Sequence, residues 1–243
     1  MTRVAAVGDI HVGTDSVGRV AAGLRRLGER ADLLLLAGDL TRCGEVAEAR
    51  IVADELRDVT VPTVAVLGNH DHHADQAGAV VDVLADAGVW VLDGTATTVE
   101  VDGVTVGIAG AKGFGGGFAG ACASAFGERA MKAFVEETAG EAERLQRALL
   151  GLDTDHRIAL LHYAPVEETL RGERLEIYPF LGSHLLAEAV DAAGADLVVH
   201  GHAHRGSERG VTPGGIRVRN VAQPVIQQAY RVYDLRDPAA RVA

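Results

Sequence analysis

Cysteine is nearly absent, with Cys43 and Cys122 the two in 243 residues. A disulfide framework is thereby excluded, and two ordinary buried thiols are the simplest expectation. Basic charge is also scarce: 23 Lys and Arg stand against 34 Asp and Glu, for a formal net charge of -11. With no basic run to offset it, such a chain repels a polyphosphate backbone, so no stable nucleic-acid complex is expected. A phosphate met through bound cations is not excluded by the same argument. No apolar stretch is long enough to cross a bilayer, and the N-terminal MTRVAAVGDIH holds no cleavable apolar segment. A cytoplasmic protein without membrane contact is the expectation. Neither a repeat period nor a proline-rich linker divides the chain, and its length is comfortable for one domain but marginal for two. One domain over residues 1–243 is therefore expected.

What is present is apolar material and glycine. Apolar residues reach 48% against 23% charged, enough for a substantial core, and 30 glycines without a period point to many tight turns. Short apolar runs at residues 4–7, 33–37, 63–67, 89–92, 104–109, 158–161, 197–199 and 216–221 have the length and branched content of buried strands. Helix-like stretches lie between several of them, at residues 17–27, 46–56, 77–87, 129–150 and 185–193. Gly140 is expected to interrupt the longest, and Gly194 to cap the last. The alternation argues an α/β protein with a largely parallel sheet. Residues 95–109 break that rhythm, because Asp102-Gly103 between two alternating runs signals a hairpin. A further extended run at residues 230–235 also makes a purely parallel sheet too simple.

The strand ends carry the chemistry. The first run is followed by Gly8-Asp9-Ile10-His11, the second by Gly38-Asp39 and the third by Gly68-Asn69-His70-Asp71. The run at 158–161 delivers His162, and the run at 197–199 delivers His200-Gly201-His202-Ala203-His204. Taken singly, an Asp or Asn after a strand is a turn or cap residue, and His162 is a core histidine. Taken together, eight of the ten histidines fall at or just after these ends, where ligands collect in open α/β sheets. Carboxylate, imidazole and amide oxygen suit a borderline divalent ion, and there are more candidate ligands than one ion needs. Two ions a few ångströms apart can activate a water and clamp phosphoryl oxygens.

This motif set, in this order from residue 9 to residue 204, resembles that of the calcineurin-like metallophosphoesterases. The resemblance implies a four-layer α/β/β/α sandwich with two mixed sheets, which accommodates the hairpin. It implies one metal held by Asp9, His11, Asp39 and His204, and a second by Asp39, Asn69, His162 and His202. The cofactors implied are two divalent ions (Mn, Fe or Zn, including mixed Fe/Mn or Fe/Zn pairs), with a bridging hydroxide attacking phosphorus. His70 would protonate the leaving alkoxide, and Asp71 would orient the His70 ring. His72 and His73 read as loop histidines, His200 as a residue near the site or buried, and His156 as one facing the wrong end of its strand.

Two stretches are candidates for specificity. Residues 110–120 are glycine-rich but lack the closing Gly-Lys-Ser/Thr of a phosphate loop. They read either as a lid carrying Phe114 and Phe118, with Lys112 near phosphate, or as a tight crossing that only glycine can make. Residues 163–184 end in Gly182-Ser183-His184 at a helix start. The expected function is hydrolysis of a small-molecule phosphoester, with a diester favoured because the resemblance links His11 to diester work. A monoester or pyrophosphate-bond hydrolase with the same site is the alternative, and a non-catalytic metal-binding scaffold the less favoured one. Assembly into a homo-oligomer is compatible with all three.

Overall fold

A computed structural model of the chain describes residues 1–235; residues 236–243 of the expected domain lie outside the described residues. The first half runs β1 (Arg3–Val7), α1 (Ala21–Leu24), α2 (Leu27–Arg30), β2 (Leu33–Ala37), α3 (Val46–Leu56) and β3 (Thr63–Val66). It continues through α4 (Ala77–Asp86), β4 (Val89–Val91), β5 (Thr95–Val101) and β6 (Val104–Ala111). Then follow β7 (Gly117–Phe118), β8 (Ala121–Cys122), α5 (Arg129–Leu150) and β9 (His156–Leu161). After α6 (Tyr178–Leu181) and α7 (His184–Ala193) come β10 (Leu197–His200), β11 (Arg209–Val211) and β12 (Arg217–Asn220). The described chain closes with α8 (Gln223–Ile226) and β13 (Arg231–Asp234).

One sheet has five strands in the order β13-β1-β2-β3-β4, and the other six in the order β11-β12-β10-β9-β6-β5. Both are mixed: β13 joins the parallel β1–β4 set antiparallel, and β5 and β11 do the same at the two edges of the second sheet. The two-residue period of a strand sorts the second sheet's faces. Val106, Ile108, Ile158, Leu160, Leu197 and Val199 pack into one core with the first sheet. Their alternates Ala109, Ala111, Ala159, Leu161 and Val198 pack instead with Leu145 and Leu149 of α5 and Leu186 and Val190 of α7. Helices α3 and α4 bury Val52, Leu56, Val80 and Leu84 against the first sheet. The result is the expected α/β/β/α order. The hairpin forms where it was read: Val101 pairs with Val104, and Asp102 (φ 49°) and Gly103 (φ 79°) supply the two left-handed residues of a type I′ turn.

Three readings of the sequence need correction. Residues 17–27 form only the short turns α1 and α2. The Glu55 carboxylate of α3 accepts from the amides of Gly18, Val20 and Ala21, so this segment's donors are satisfied outside a continuous helix. Both cysteines are exposed rather than buried. Helix α5 passes through Gly140 without a break for 22 residues, its buried Ala142, Leu145 and Leu149 outweighing the glycine cost. A Cβ at Gly140 would meet only the flexible end of Arg144, at 3.4 Å. Gly140→Ala should therefore raise stability by about 0.5–1 kcal/mol, read as a higher urea midpoint at unchanged slope. Among the described residues no helix is long and apolar enough to cross a membrane.

Candidate metal centre

Strands β1, β2 and β3 are parallel neighbours, as are β9 and β10 in the facing sheet, so their carboxyl ends open along one edge. Asp9, Asp39, Asn69, His162 and His202 follow those ends directly or within three residues. The backbone turns sharply there. Asp9 (φ 57°), His11 (φ 43°), Asp39 (φ 50°) and His202 (φ 69°) all adopt the left-handed conformation that non-glycine residues avoid. Such strain persists where surrounding bonds over-determine it, and it clusters at functional sites. The motif glycines explain the close approach: a Cβ at Gly68 would run into Asp39 Oδ1, and one at Gly201 into Asp9 Oδ2.

Two donor groups result. Asp9, His11, Asp39 and His204 offer one ligand atom each within 4.8 Å of one another, and Asp39, His162 and His202 do the same, with Asp39 common to both. In the first group His204 Nε2 lies 2.8 Å from Asp9 Oδ1 and 3.4 Å from His11 Nε2, and His11 Nε2 lies 3.8 Å from Asp39 Oδ2. In the second, His162 Nε2 lies 3.0 Å from Asn69 Oδ1 and 3.4 Å from Asp39 Oδ1. Ligands about 2.0–2.2 Å from one ion stand roughly 3–3.5 Å apart, so both groups have the span of a coordination shell. Main-chain carbonyls select the ring nitrogens. His162 Nδ1 donates to Ala37 O at 2.9 Å, turning Nε2 inward, and His202 Nε2 donates to Phe180 O at 3.3 Å, leaving Nδ1 free.

The electrostatics agree with ligation. Burial pushes His162 and His202 down to about 3 and His11 down to about 4, so each presents a neutral lone pair near neutral pH. Burial raises Asp9 to about 6 despite its hydrogen bond from His204, and that same bond raises His204. A cation is the partner that suits this arrangement of buried carboxylates and neutral imidazoles. Stability of the chelated protein should consequently fall with acid. Unfolding releases His11, His162, His202 and the buried His200 (lowered to about 4) to bind protons below their ordinary value of 6.5. Asp9 and Asp71, both raised to about 6, and His204, raised by its bond to Asp9, act oppositely but are fewer. The unfolded state thus binds more protons between about pH 6.5 and 4, and stability rises with pH across that window. Thermal unfolding of the chelator-treated protein checks this; a flat or inverted profile would contradict it.

His70 sits at the mouth. Its Nδ1 donates to Arg42 O at 2.8 Å, and its Nε2 lies 3.9 Å from Asp39 Oδ2. Its ring meets His11 edge-on at 4.6 Å and lies 5.4 Å from that of His73. The expectation that Asp71 orients this ring is not met. Asp71 is fully buried and accepts from Thr41 N (2.8 Å), Thr41 Oγ1 (2.6 Å), Gly68 N (2.8 Å) and Leu40 N (3.2 Å). It ties the Asp39 loop to the Asn69 loop, and the Arg42 carbonyl orients His70 instead. That carbonyl, like those of Ala37 and Phe180, is main chain and leaves no trace in residue type. Nor did the sequence single out buried Asn220, which donates to Ala203 O at 2.8 Å and so fixes the turn between His202 and His204.

The remaining histidines stay outside the donor groups. His200 is buried, with Nδ1 2.8 Å from Gly201 O and Nε2 2.9 Å from Thr169 Oγ1. His72 and His73 are exposed, and His156 stands at the far end of β9 beside Asp196. The lid reading of residues 110–120 is also overturned. Phe118 is buried with Ala164, Leu170, Leu181 and Ala203, while Phe114 packs between Phe134 and Tyr163. Gly116 N donates to Pro179 O at 2.6 Å and Gly117 N to Gly182 O at 2.9 Å. The glycines make a tight, tied-down crossing. Lys112 donates to Gly113 O at 3.0 Å and lies over the Phe114 and Tyr163 rings.

A family model described as calcineurin-like phosphoesterase matches residues 2–206. No curated protein matches the sequence. Among solved structures, the chain resembles phosphopantetheinyl hydrolase from Mycobacterium tuberculosis at 17% identity and TM-score 0.70, covering 95% of each chain. It resembles protein TT1561 of Thermus thermophilus at 18% identity and TM-score 0.59, covering 97% of this chain and 99% of that one. At such identities the likeness speaks for the shared fold.

Proposed function

The chain belongs to the calcineurin-like phosphoesterase family, and from that premise we propose that it is a phosphodiesterase acting on a small or nucleotide-type diester. Metal-dependent phosphoester hydrolysis is what the family implies. Asp9, His11, Asp39 and His204 would hold one divalent ion, and Asp39, Asn69, His162 and His202 the other, with Asp39 shared. The mixed nitrogen and oxygen donors, free of thiolate, favour Mn, Fe or Zn, as like or mixed pairs. When bound, the ions supply a water acidified toward neutrality and draw charge from the phosphoryl oxygens.

The protein's own part is to place and protonate. Arg42 O holds the Nδ1 proton of His70, so Nε2 is the atom that faces the site and, in the imidazolium form, carries a proton for the leaving oxygen. Asp71 keeps the Asp39 and Asn69 loops at a fixed separation.

The observation that carries the diester reading is that three cations beside these loops, Lys112, Arg42 and Arg19, are already engaged. Lys112 is spent on Gly113 O and two rings, Arg42 on Asp15 at 2.7 Å, and Arg19 on the carbonyls of Ile10 and His11. A diester brings one negative charge and can do without a further cation, whereas a monoester dianion is better served by one. Methyl 4-nitrophenyl phosphate and 4-nitrophenyl phosphate, assayed with Mn-loaded protein, test this. The diester should be preferred in kcat/KM by about tenfold or more. Preference for the monoester would transfer the reading to the monoester or pyrophosphate alternative, and loss of both activities would sink it.

A further inference from the structure

An apolar groove opens beside the donor groups, and nothing in the chemistry above uses it. Its volume is about 640 Å³, within the size class of ligand pockets, and its walls are the β7–β8 hairpin, the first turns of α5 and the short helix α6. Ala121, Cys122, Met131, Phe134, Pro179 and Phe180 line it. Phe180 is 62% exposed and Met131 39% exposed, with Phe126 nearby in sequence at 87%. Aromatic surface of this kind costs free energy in water unless something covers it.

One wall of the groove abuts the metal centre. Phe180, on one wall, accepts from His202 Nε2 through its carbonyl at 3.3 Å. Behind that wall, rings pack in series: His202 on Tyr163 at 4.4 Å, Tyr163 on Phe114 at 5.8 Å and Phe114 on Phe134 at 5.2 Å, and Phe134 is again a wall. The walls are pre-assembled, since Gly116 N donates to Pro179 O and Ala123 N to Gly116 O at 2.7 Å. Both stretches that the sequence marked for specificity, residues 110–120 and 163–184, therefore meet here.

Resting on the phosphodiesterase reading, we propose that this groove binds the ester arm that stays on phosphorus, and that the arm is an apolar chain. A phosphoryl group held between His202 and His70 puts one ester oxygen toward His70 and its proton, leaving the other arm to run past His202 along Phe180. What covers the groove is then attached to the phosphate itself, and its apolar lining selects an aliphatic or aryl group over a sugar.

The test is calorimetric titration of metal-loaded protein with methylphosphonate and octylphosphonate, which share the anion and differ in the arm. Octylphosphonate should bind about tenfold or more tightly. Met131→Glu should cut that advantage to about twofold. The substitution is safe for folding, because an acidic residue suits the first turn of α5. Lys132→Glu, which changes charge at the neighbouring position, should keep the advantage. No preference for the octyl arm in the parent, or an undiminished preference in Met131→Glu, overturns the proposal. An undiminished preference together with loss of a dimer in sedimentation, or of binding to phosphatidylglycerol vesicles, assigns the groove to a second copy or to a membrane instead. Failure of the diester reading registers separately, as preference for 4-nitrophenyl phosphate, and leaves the phosphonate comparison standing.

Discussion

Asp39→Asn should lower kcat/KM by well over about 100-fold, the upper range for merely losing a group behind a metal ligand, and should lower metal content with it. The substitution is nearly isosteric. Asp39 Oδ1 accepts from His70 N at 2.8 Å, a bond that an amide oxygen can keep. What is lost is the one carboxylate common to both donor groups, itself 1% exposed. Two divalent ions close together in a poorly hydrated site repel strongly, and the shared negative charge offsets that repulsion. Metal analysis at a buffered free-metal concentration would show about two ions per chain in the parent and fewer in the variant. The variant's thermal midpoint should also gain less from added Mn. Equal metal content in the two proteins would remove Asp39 from its shared position, whatever happened to the rate.

The legibility of this site in the sequence has a physical basis. A parallel strand that ends in a ligand must deliver it within one to three residues, so Asp9, Asp39, Asn69 and His162 stand just after apolar runs and announce themselves. The hairpin was legible for the same reason, since few residue pairs other than Asp102-Gly103 accept two left-handed conformations in succession. Helices were less so. Residues 17–27 have helical spacing, but the Glu55 carboxylate, distant in sequence, competes for their amides. At Gly140 the error ran the other way: a local cost of about 1 kcal/mol is small beside the packing of a long amphipathic face. Partners of ring nitrogens were the least legible part. Asp71 follows His70 immediately, which suggests a dyad, yet two adjacent side chains on a tight turn point apart, and Asp71 turns inward to four donors. Three of the groups that orient the site's histidines are backbone carbonyls, placed by the fold as a whole and coded by no single residue.

His70→Ala gives the sharpest separation of roles. His70 lies outside both donor groups, so the variant should keep its metals while kcat/KM for an alkyl leaving group falls by about 10²–10⁴-fold. The penalty should shrink as the leaving group becomes more acidic, because 4-nitrophenolate departs without a proton and an alkoxide does not. A plot of log kcat/KM against leaving-group pKa should thus be steeper for the variant than for the parent. Asp71→Asn serves as the contrast. An asparagine offers one accepting oxygen where Asp71 uses both, and its amide nitrogen would confront backbone donors. That variant should lose thermal stability and metal affinity while its slope stays parental, since the His70 ring still hangs from Arg42 O. A parental slope in His70→Ala would reduce His70 to binding the phosphate. A steepened slope in Asp71→Asn would restore the dyad that the geometry denies, acting through a rearrangement on substrate binding, and loss of metal from His70→Ala would place that ring among the ligands.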